Sequence, residues 1–168
     1  IDGDLRKPSF GEILGIGEDE GQLSALLIGD VELDDAVIST DIENLHVLLC
    51  GSPPSNPAEL LGSQQFSDLL ALLCERYDQV VVDSSPVLPV TDAKVLSQVA
   101  DVVLVVVREG VSDRYALRHC LRQLRDVGAP ILGCVFNGAK LHSSPYGQQY
   151  GYGYGYGYGK TPKKTKKT

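Results

Sequence analysis

Short apolar runs alternate with segments of helical spacing along residues 46–137, and this alternation constrains the fold more than any other feature. The apolar runs are His46–Cys50, Gln79–Asp83, Val102–Val107 and Ile131–Phe136, and helical patterns follow each of the first three, at 63–73, Asp92–Ala100 and Tyr115–Val127. Strands that alternate with helices predict a parallel sheet flanked by helices, which is an α/β fold. The run Val102–Val107 is continuously apolar, so we expect that strand to be buried on both faces.

Two helix starts are predicted from local chemistry. Ser63 precedes Phe66, Leu69, Leu70 and Leu73, which recur at helical spacing, so Ser63 is expected to be an N-cap. Pro57 favours the first turn of a helix, and Asn56 before it can cap that helix. We therefore expect Asn56 and Glu59 of this segment to have structural roles.

The composition is that of one packed domain. The chain has 168 residues, of which 43% are hydrophobic. The longest apolar run is far shorter than the roughly 20 residues that cross a bilayer. The four cysteines, at positions 50, 74, 120 and 134, form no C-x-x-C pair and are expected to be reduced core residues. The three histidines are scattered and indicate no metal site.

The net charge of −7 is unevenly distributed. Residues 160–168 contain five lysines and no acid, whereas the other 159 residues carry 10 basic and 22 acidic side chains. An acidic body does not match a nucleic-acid-binding protein, whose basic residues form a patch on the folded domain. The lysine-rich end is either a solubilising tail or a segment that contacts anionic lipid or an acidic neighbour.

The composition changes after Leu141, and this change predicts the domain boundary. Residues 143–168 contain no aliphatic side chain, and tyrosine alternates with glycine from Tyr150 to Tyr158. Glycine at every second position disfavours a helix or a packed strand. We expect a folded domain at 1–142 and a disordered, flexible tail at 143–168.

Polar residues occur where several predicted strands end. Asp2 and Asp4 stand in one such segment, Asp83 ends a second, and Asn137 ends a third. Ligands of parallel sheets bind at the carboxyl ends of the strands. Two carboxylates separated by one residue of extended chain point the same way, so Asp2 and Asp4 can face one metal–phosphate site. Taken singly, each signal is weak, because acidic turns and strand-terminal aspartates are common.

Three motifs in the right order identify a resemblance. Asp2-x-Asp4-x-Arg6-x-Pro8 resembles the Walker A′ motif of the bacterial tyrosine kinases (BY-kinases), and Val80–Pro86 resembles their Walker B motif. Between them, Gly51–Leu61 resembles the Pro-Pro-Asn-Pro-x-Glu-Leu-Leu segment of the family. The tyrosine-rich end is also typical, so the resemblance covers roughly residues 1–158. It implies a P-loop NTPase-like fold of the deviant Walker type.

The resemblance also implies roles for individual residues, with ATP and Mg²⁺ as cofactors. Asp2 would activate the tyrosine hydroxyl and organise Mg²⁺, Asp4 would support the metal site, and Asp83 would hold Mg²⁺ through a water. Arg6 would form ion pairs near this site. Asn137 resembles the asparagine that contacts adenine in related ATPases.

Two features depart from the family pattern. Ser85 stands where the family usually has proline, which predicts a more flexible loop after Asp83. The motif G-x-x-x-x-G-K-[ST], whose backbone N–H groups and lysine bind phosphates, does not occur in the chain. We therefore expect a C-terminal fragment, truncated before Ile1, that is inactive alone.

The resemblance implies a substrate and a biological setting. The substrate tyrosines would be Tyr146, Tyr150, Tyr152, Tyr154, Tyr156 and Tyr158, phosphorylated in trans within a ring-like homo-oligomer. The kinase would regulate capsule or exopolysaccharide polymerisation and export from the cytoplasmic face of the membrane. Its partners would be a membrane-spanning polysaccharide co-polymerase, fused or separate, and a phosphotyrosine phosphatase.

Two alternative functions stay open from the sequence. A partition or site-placement ATPase shares the deviant Walker fold, although the tyrosine tail argues against it. A regulatory module that has lost its nucleotide site would explain the missing phosphate loop without any catalysis.

Overall fold

The computed structural model describes residues 1–17 and 21–139. Within them the strands are β1 (Asp2–Gly3), β2 (Ile38–Ser39), β3 (His46–Val47), β4 (Asp83–Ser84), β5 (Val103–Arg108) and β6 (Ile131–Asn137). The helices are α1 (Phe10–Leu14), α2 (Leu23–Ile28), α3 (Leu33–Ala36), α4 (Pro57–Leu61), α5 (Gln64–Arg76), α6 (Asp92–Leu96) and α7 (Arg114–Asp126). The predicted tail at 143–168 lies outside the described residues, as does the predicted boundary at residue 142.

The described strands form three two-stranded sheets. β1 pairs with β4 and β5 with β6, both in parallel, while β2 and β3 are antiparallel. The two parallel pairs and the intervening helices confirm the predicted mixture of helices and parallel strands. The sequence does not predict the antiparallel pair, because Ile38–Ser39 is too short to stand out as an apolar run.

The main hydrophobic core lies around α5. Ser63 Oγ accepts the backbone N–H of Phe66 at 3.2 Å, so the predicted N-cap is confirmed. Phe66, Leu69 and Leu73 are buried on one face of this helix. They pack in a cluster whose members run from Leu5 to Leu96 along the chain. Burying one such side chain contributes about 1.5–3 kcal/mol.

The prediction that Val102–Val107 is buried on both faces is wrong. Val105 is buried, but Leu104 and Val106 are 54% and 63% exposed. A continuous apolar run reports burial only where other layers cover both faces of the sheet. In the part of the chain that the structure describes, β5 pairs only with β6, and the second face has no such cover.

Three other predicted elements are present but shorter, whereas the helix and the strand predicted at Tyr115–Val127 and Ile131–Phe136 are observed at Arg114–Asp126 and Ile131–Asn137. The run Gln79–Asp83 enters a ladder only at Asp83, and the helix expected at Asp92–Ala100 ends at Leu96. The run His46–Cys50 is a strand only at His46–Val47, although residues 48–50 remain buried. Their carbonyl groups accept hydrogen bonds from the backbone N–H groups of Asp2, Leu23 and Ser24, so these buried carbonyls are satisfied outside a regular ladder.

Two further predictions are corrected by side-chain positions. Cys50 is buried as expected, but Cys74 and Cys134 are exposed and therefore are not core residues. Asn56 occupies the N-cap position of α4 without capping it through its side chain. Its Nδ2 instead donates to Glu59 Oε2 at 2.9 Å, which ties the first turn together and supports the structural roles expected of both residues.

No helix among the described residues combines the length and apolar character that a membrane span requires.

Candidate active site

The β1–β4 ladder brings two predicted site residues together. Asp2 and Asp83 are register partners, and Gly3 is paired with Ser84. Ile1 extends the contact, since its amino group donates to Val81 O at 2.7 Å and its carbonyl accepts from Asp83 N at 3.0 Å. Paired residues of neighbouring parallel strands lie side by side, so the two aspartates are neighbours across this ladder.

Gly3 makes this close pairing sterically feasible. A Cβ atom at Gly3 would lie 2.5 Å from Asp83 O and 2.9 Å from Val82 Cγ1. No side chain fits at these distances, so the glycine allows β1 to approach β4 at the point where the carboxylates meet.

The Asp2 carboxylate is buried and only half satisfied. The side chain is 1% exposed, and its Oδ2 accepts the backbone N–H groups of Ser9 and Phe10, both at 3.1 Å. Its Oδ1 is buried without a hydrogen-bond partner in the described structure. A buried oxygen of this kind carries an uncompensated desolvation cost, which a cation or a proton donor would remove.

Asp4 is held through one oxygen atom. Its Oδ1 accepts from the backbone N–H groups of Arg6 at 3.3 Å and Lys7 at 3.1 Å, and from the hydroxyl of Ser85 at 2.7 Å. Ser85 is buried and hydrogen-bonded, and the greater flexibility expected of the loop after Asp83 stays a prediction.

Arg6 forms the ion pair that was predicted for it, and its partner is Asp92. Arg6 Nε lies 2.7 Å from Asp92 Oδ2, and Nη2 lies 2.9 Å from Oδ1, which is a bidentate arrangement. Asp92 is fully buried and starts α6. Sequence reasoning gives Asp92 only a role at a helix start. The sequence feature that relates Asp92 to the site is its position nine residues after Asp83, the Walker B-like carboxylate.

The surroundings of Asp83, the third predicted carboxylate of the site, disfavour its negative charge. The pKa of Asp83 is raised above its ordinary value, first by desolvation and then by the negative charges of Asp2 and Asp4. The backbone N–H of Ser84 opposes the increase. Asp83 is exposed, so solvent and a bound ligand can both reach it.

The oxygen atoms of these carboxylates would supply only part of the coordination shell of a Mg²⁺ ion. No group of three or more His, Cys, Asp or Glu side chains in residues 1–17 and 21–139 is arranged to hold an ion directly. Mg²⁺ commonly takes only one or two carboxylates and completes its shell with water and substrate phosphates. The unpartnered Oδ1 of Asp2 suits this role. The metal-binding roles of Asp2, Asp4 and Asp83 stay predictions.

The remaining predicted residues lie elsewhere. Asn137 ends β6 in a separate sheet, where it pairs with Arg108 and its carbonyl accepts from Glu109 N at 3.0 Å. The structure brings together Asp2, Asp4, Arg6 and Asp83 but does not bring Asn137 to them by strand pairing. The six tyrosines from Tyr146 to Tyr158 lie outside the described residues.

Comparison with known proteins identifies the family. No protein-family model matches the chain. It is 34% identical over 148 residues to tyrosine-protein kinase YwqD of Bacillus subtilis, which is 88% of this chain and 62% of the relative. The crystal structure of the VpsO kinase domain matches with a TM-score of 0.78 and 35% identity, covering 83% of this chain and 68% of that one. The kinase domain of Escherichia coli tyrosine kinase ETK matches with a TM-score of 0.79 and 30% identity, covering 92% and 58%.

A chain with this fold and paired carboxylates, related at this level to a kinase domain of which it covers 68%, belongs to the bacterial tyrosine kinases. The predicted family is thus confirmed. The chain spans between one fifth and two thirds of the length of the curated relatives that it matches. The names of these relatives favour the kinase prediction over the partition-type ATPase.

Proposed function

We propose that the chain is part of an ATP-dependent protein-tyrosine autokinase that regulates capsule or exopolysaccharide polymerisation and export. The observation that carries the proposal is the pairing of Asp2 with Asp83 across β1 and β4, with Asp4 two residues away. Phosphoryl transfer needs carboxylates at a metal–phosphate centre and a group that orients or deprotonates the nucleophile. Asp2, Asp4 and Asp83 would supply both from two paired strands, as in a P-loop NTPase-like fold of the deviant Walker type.

The proposed roles follow from the environment of each side chain. Asp2 keeps one oxygen free in a buried position, so it is suited to accept the proton of a tyrosine hydroxyl and to bind a cation. Asp83 is exposed and crowded by Asp2 and Asp4, so a cation held there through water would relieve the repulsion. Mg²⁺, when bound, would neutralise the phosphate charge of ATP. Asn137 would contact adenine, and Arg6 supports the site through Asp92.

The proposed substrate is the tyrosine cluster of the same protein. Tyr146, Tyr150, Tyr152, Tyr154, Tyr156 and Tyr158 are separated in the sequence by glycines or short polar segments, a spacing that predicts access by a neighbouring active site. Each phosphate adds about −1.5 to −2 charges, so six add roughly −9 to −12 to an acidic body. This negative charge would drive apart a ring-like homo-oligomer whose tails dock in neighbouring sites. A phosphotyrosine phosphatase would remove the charge and restore the oligomer.

The proposed setting rests on family membership. The kinase would work at the cytoplasmic face of the cell membrane with a membrane-spanning polysaccharide co-polymerase, on the same chain or a separate one. The matched relatives include CapB, wzc and EpsB, and the name of each includes the words tyrosine-protein kinase. These names support the same class of enzyme for this chain.

The test is phosphotyrosine labelling in a protein that joins this chain to a phosphate loop. Asp83→Asn is expected to abolish ATP-dependent labelling of the tail, because it removes the charge that holds Mg²⁺. Asp78→Asn, an identical change at an exposed position five residues earlier, should leave labelling intact. Undiminished labelling of the Asp83 variant would refute the assignment, and ATP hydrolysis without phosphotyrosine would favour a switch ATPase.

A further inference from the structure

Ser85 joins two parts of the site that are far apart in sequence. Its side chain is 3% exposed, and its hydroxyl lies 2.7 Å from Asp4 Oδ1 and 3.5 Å from Asp92 Oδ2. A hydroxyl has one proton to donate, and the shorter distance assigns that proton to Asp4.

The ion pair behind Ser85 reinforces this assignment. Asp92 Oδ2 accepts Arg6 Nε at 2.7 Å, so this oxygen keeps a charged donor without the Ser85 proton. Asp92 is fully buried at the start of α6 and cannot turn toward solvent without breaking both contacts with Arg6. The Arg6–Asp92 ion pair is therefore complete without the Ser85 hydroxyl, which is left to donate to Asp4.

The hydrogen bonds to Asp4 converge on a single oxygen. Two of the three donors are backbone N–H groups of the turn that follows Asp4, at Arg6 and Lys7. Ser85 is the donor that comes from the β4 side of the site, 81 residues away in sequence. With Oδ1 saturated by three donors, Oδ2 is the atom of this carboxylate left for a ligand.

We propose that Ser85 is a positioning residue that fixes the Asp4 carboxylate so that Oδ2 faces the metal–phosphate site. The proposal rests on the proposed function, because that function assigns Asp4 to the metal site. It also gives a chemical role to the residue at which this chain departs from the family pattern, since proline has no side-chain donor. Outer hydrogen-bond partners of metal-binding carboxylates commonly change metal affinity by 10–100-fold when removed.

The first measurement reads the Asp4 side chain directly. In the isotope-labelled chain, three-bond couplings from Asp4 Cγ to its own N and C′ report the χ1 angle. We expect one rotamer in the wild type and in Ser85→Thr, which keeps the hydroxyl, and averaged couplings in Ser85→Ala. Ser97→Ala is the matched control, because Ser97 is also buried and its hydroxyl donates a 2.7 Å bond, to Lys94 O. If Ser85→Ala does not fold, Ser85→Cys tests the same bond, since a thiol is a weak donor.

The second measurement uses Mn²⁺ alone as the probe. Paramagnetic broadening of the Asp2 and Asp4 signals is expected to require about tenfold more Mn²⁺ in Ser85→Ala and to be restored in Ser85→Thr. A single Asp4 rotamer in Ser85→Ala would overturn the proposal, and so would unchanged Mn²⁺ affinity beside a wild type that binds the ion. If Mn²⁺ broadens neither aspartate in the wild type, the metal site of the proposed function fails, and the couplings still decide whether Ser85 positions Asp4.

Discussion

At the scale of single residues, Asp2 and Asp4 each accept their described hydrogen bonds through one carboxylate oxygen. Asp2 uses Oδ2 for two backbone N–H groups and leaves Oδ1 unpartnered, while Asp4 uses Oδ1 for three donors. The motif Asp2-x-Asp4 predicts that both carboxylates belong to the site. It cannot predict which oxygen is free, because the donors come from residues as distant as Ser85.

Gly3 is expected to be intolerant of any side chain. Gly3→Ala would place a methyl group 2.5 Å from Asp83 O, and separating the strands to accommodate it should cost about 1–3 kcal/mol of unfolding free energy. Urea denaturation measures the loss. Gly133→Ala in β6 is the control, because nothing lies within 4 Å of the point where its methyl group would stand, and its effect should stay within about 1 kcal/mol. Equal effects of the two changes would contradict the close approach of β1 and β4.

The raised pKa of Asp83 predicts a pH-dependent stability. The folded state binds the Asp83 proton more tightly than the unfolded state, so this group contributes stability at low pH that is lost as pH rises through the folded-state pKa. Without Mg²⁺, Asp83→Asn should match the wild type below the ordinary carboxyl pKa and exceed it in stability near neutral pH. Urea denaturation of both proteins across this range gives the difference. A difference independent of pH, or of opposite sign, would contradict the raised pKa that desolvation and the neighbouring carboxylates give Asp83.

At the scale of elements, the sequence predicts a helix start correctly where a single side chain forms the cap. Ser63 is the N-cap that its position predicts, because its hydroxyl has no stronger competitor for the Phe66 N–H. Asn56 stands at the N-cap position of α4 but does not cap the helix, and its Nδ2 donates to Glu59 Oε2. The prediction for the burial of β5 is wrong for a different reason. That burial depends on what covers the strand, and no local pattern contains that information.

The cap at Ser63 should support α5 measurably. Ser63→Ala removes the acceptor for the Phe66 N–H and the hydroxyl that donates to Leu60 O at 2.7 Å. We expect a loss of about 1 kcal/mol in unfolding free energy, measured by thermal or urea denaturation. Ser55→Ala, in an exposed loop, should change stability by less than about 0.5 kcal/mol. A Ser63 variant as stable as the Ser55 variant would show that tertiary packing alone holds the helix.

At the scale of the whole described molecule, the strands are divided among three small sheets rather than joined in one. The main core cluster runs from Leu5 to Leu96, and β5 and β6 contribute no member to it. The alternation of strands and helices predicts the class of fold and the parallel pairing. It carries no information on which strands are neighbours, so the division between β1–β4 and β5–β6 could not be predicted.

Nucleotide affinity is a property of the whole chain. The carboxylates are present, but the sequence has no G-x-x-x-x-G-K-[ST] segment to supply the backbone donors and lysine that bind phosphates. We therefore expect this chain to bind Mg²⁺–ATP more weakly than micromolar in isothermal titration calorimetry. A protein that joins it to a phosphate loop should bind more tightly in the same experiment. A micromolar dissociation constant for the chain alone would contradict the expectation.

The short ladder between β1 and β4 also determines where evolution or engineering can change the length of this chain. Side chains alternate between the faces of a strand, so one residue inserted or deleted next to Asp83 would turn its carboxylate away from Asp2. An insertion in the exposed loop around Ser55 leaves that register unchanged. Insertions and deletions are therefore expected to be tolerated in the loop around Ser55. Beside the carboxylates they are expected to disrupt the site, even where Asp2 and Asp83 themselves are retained.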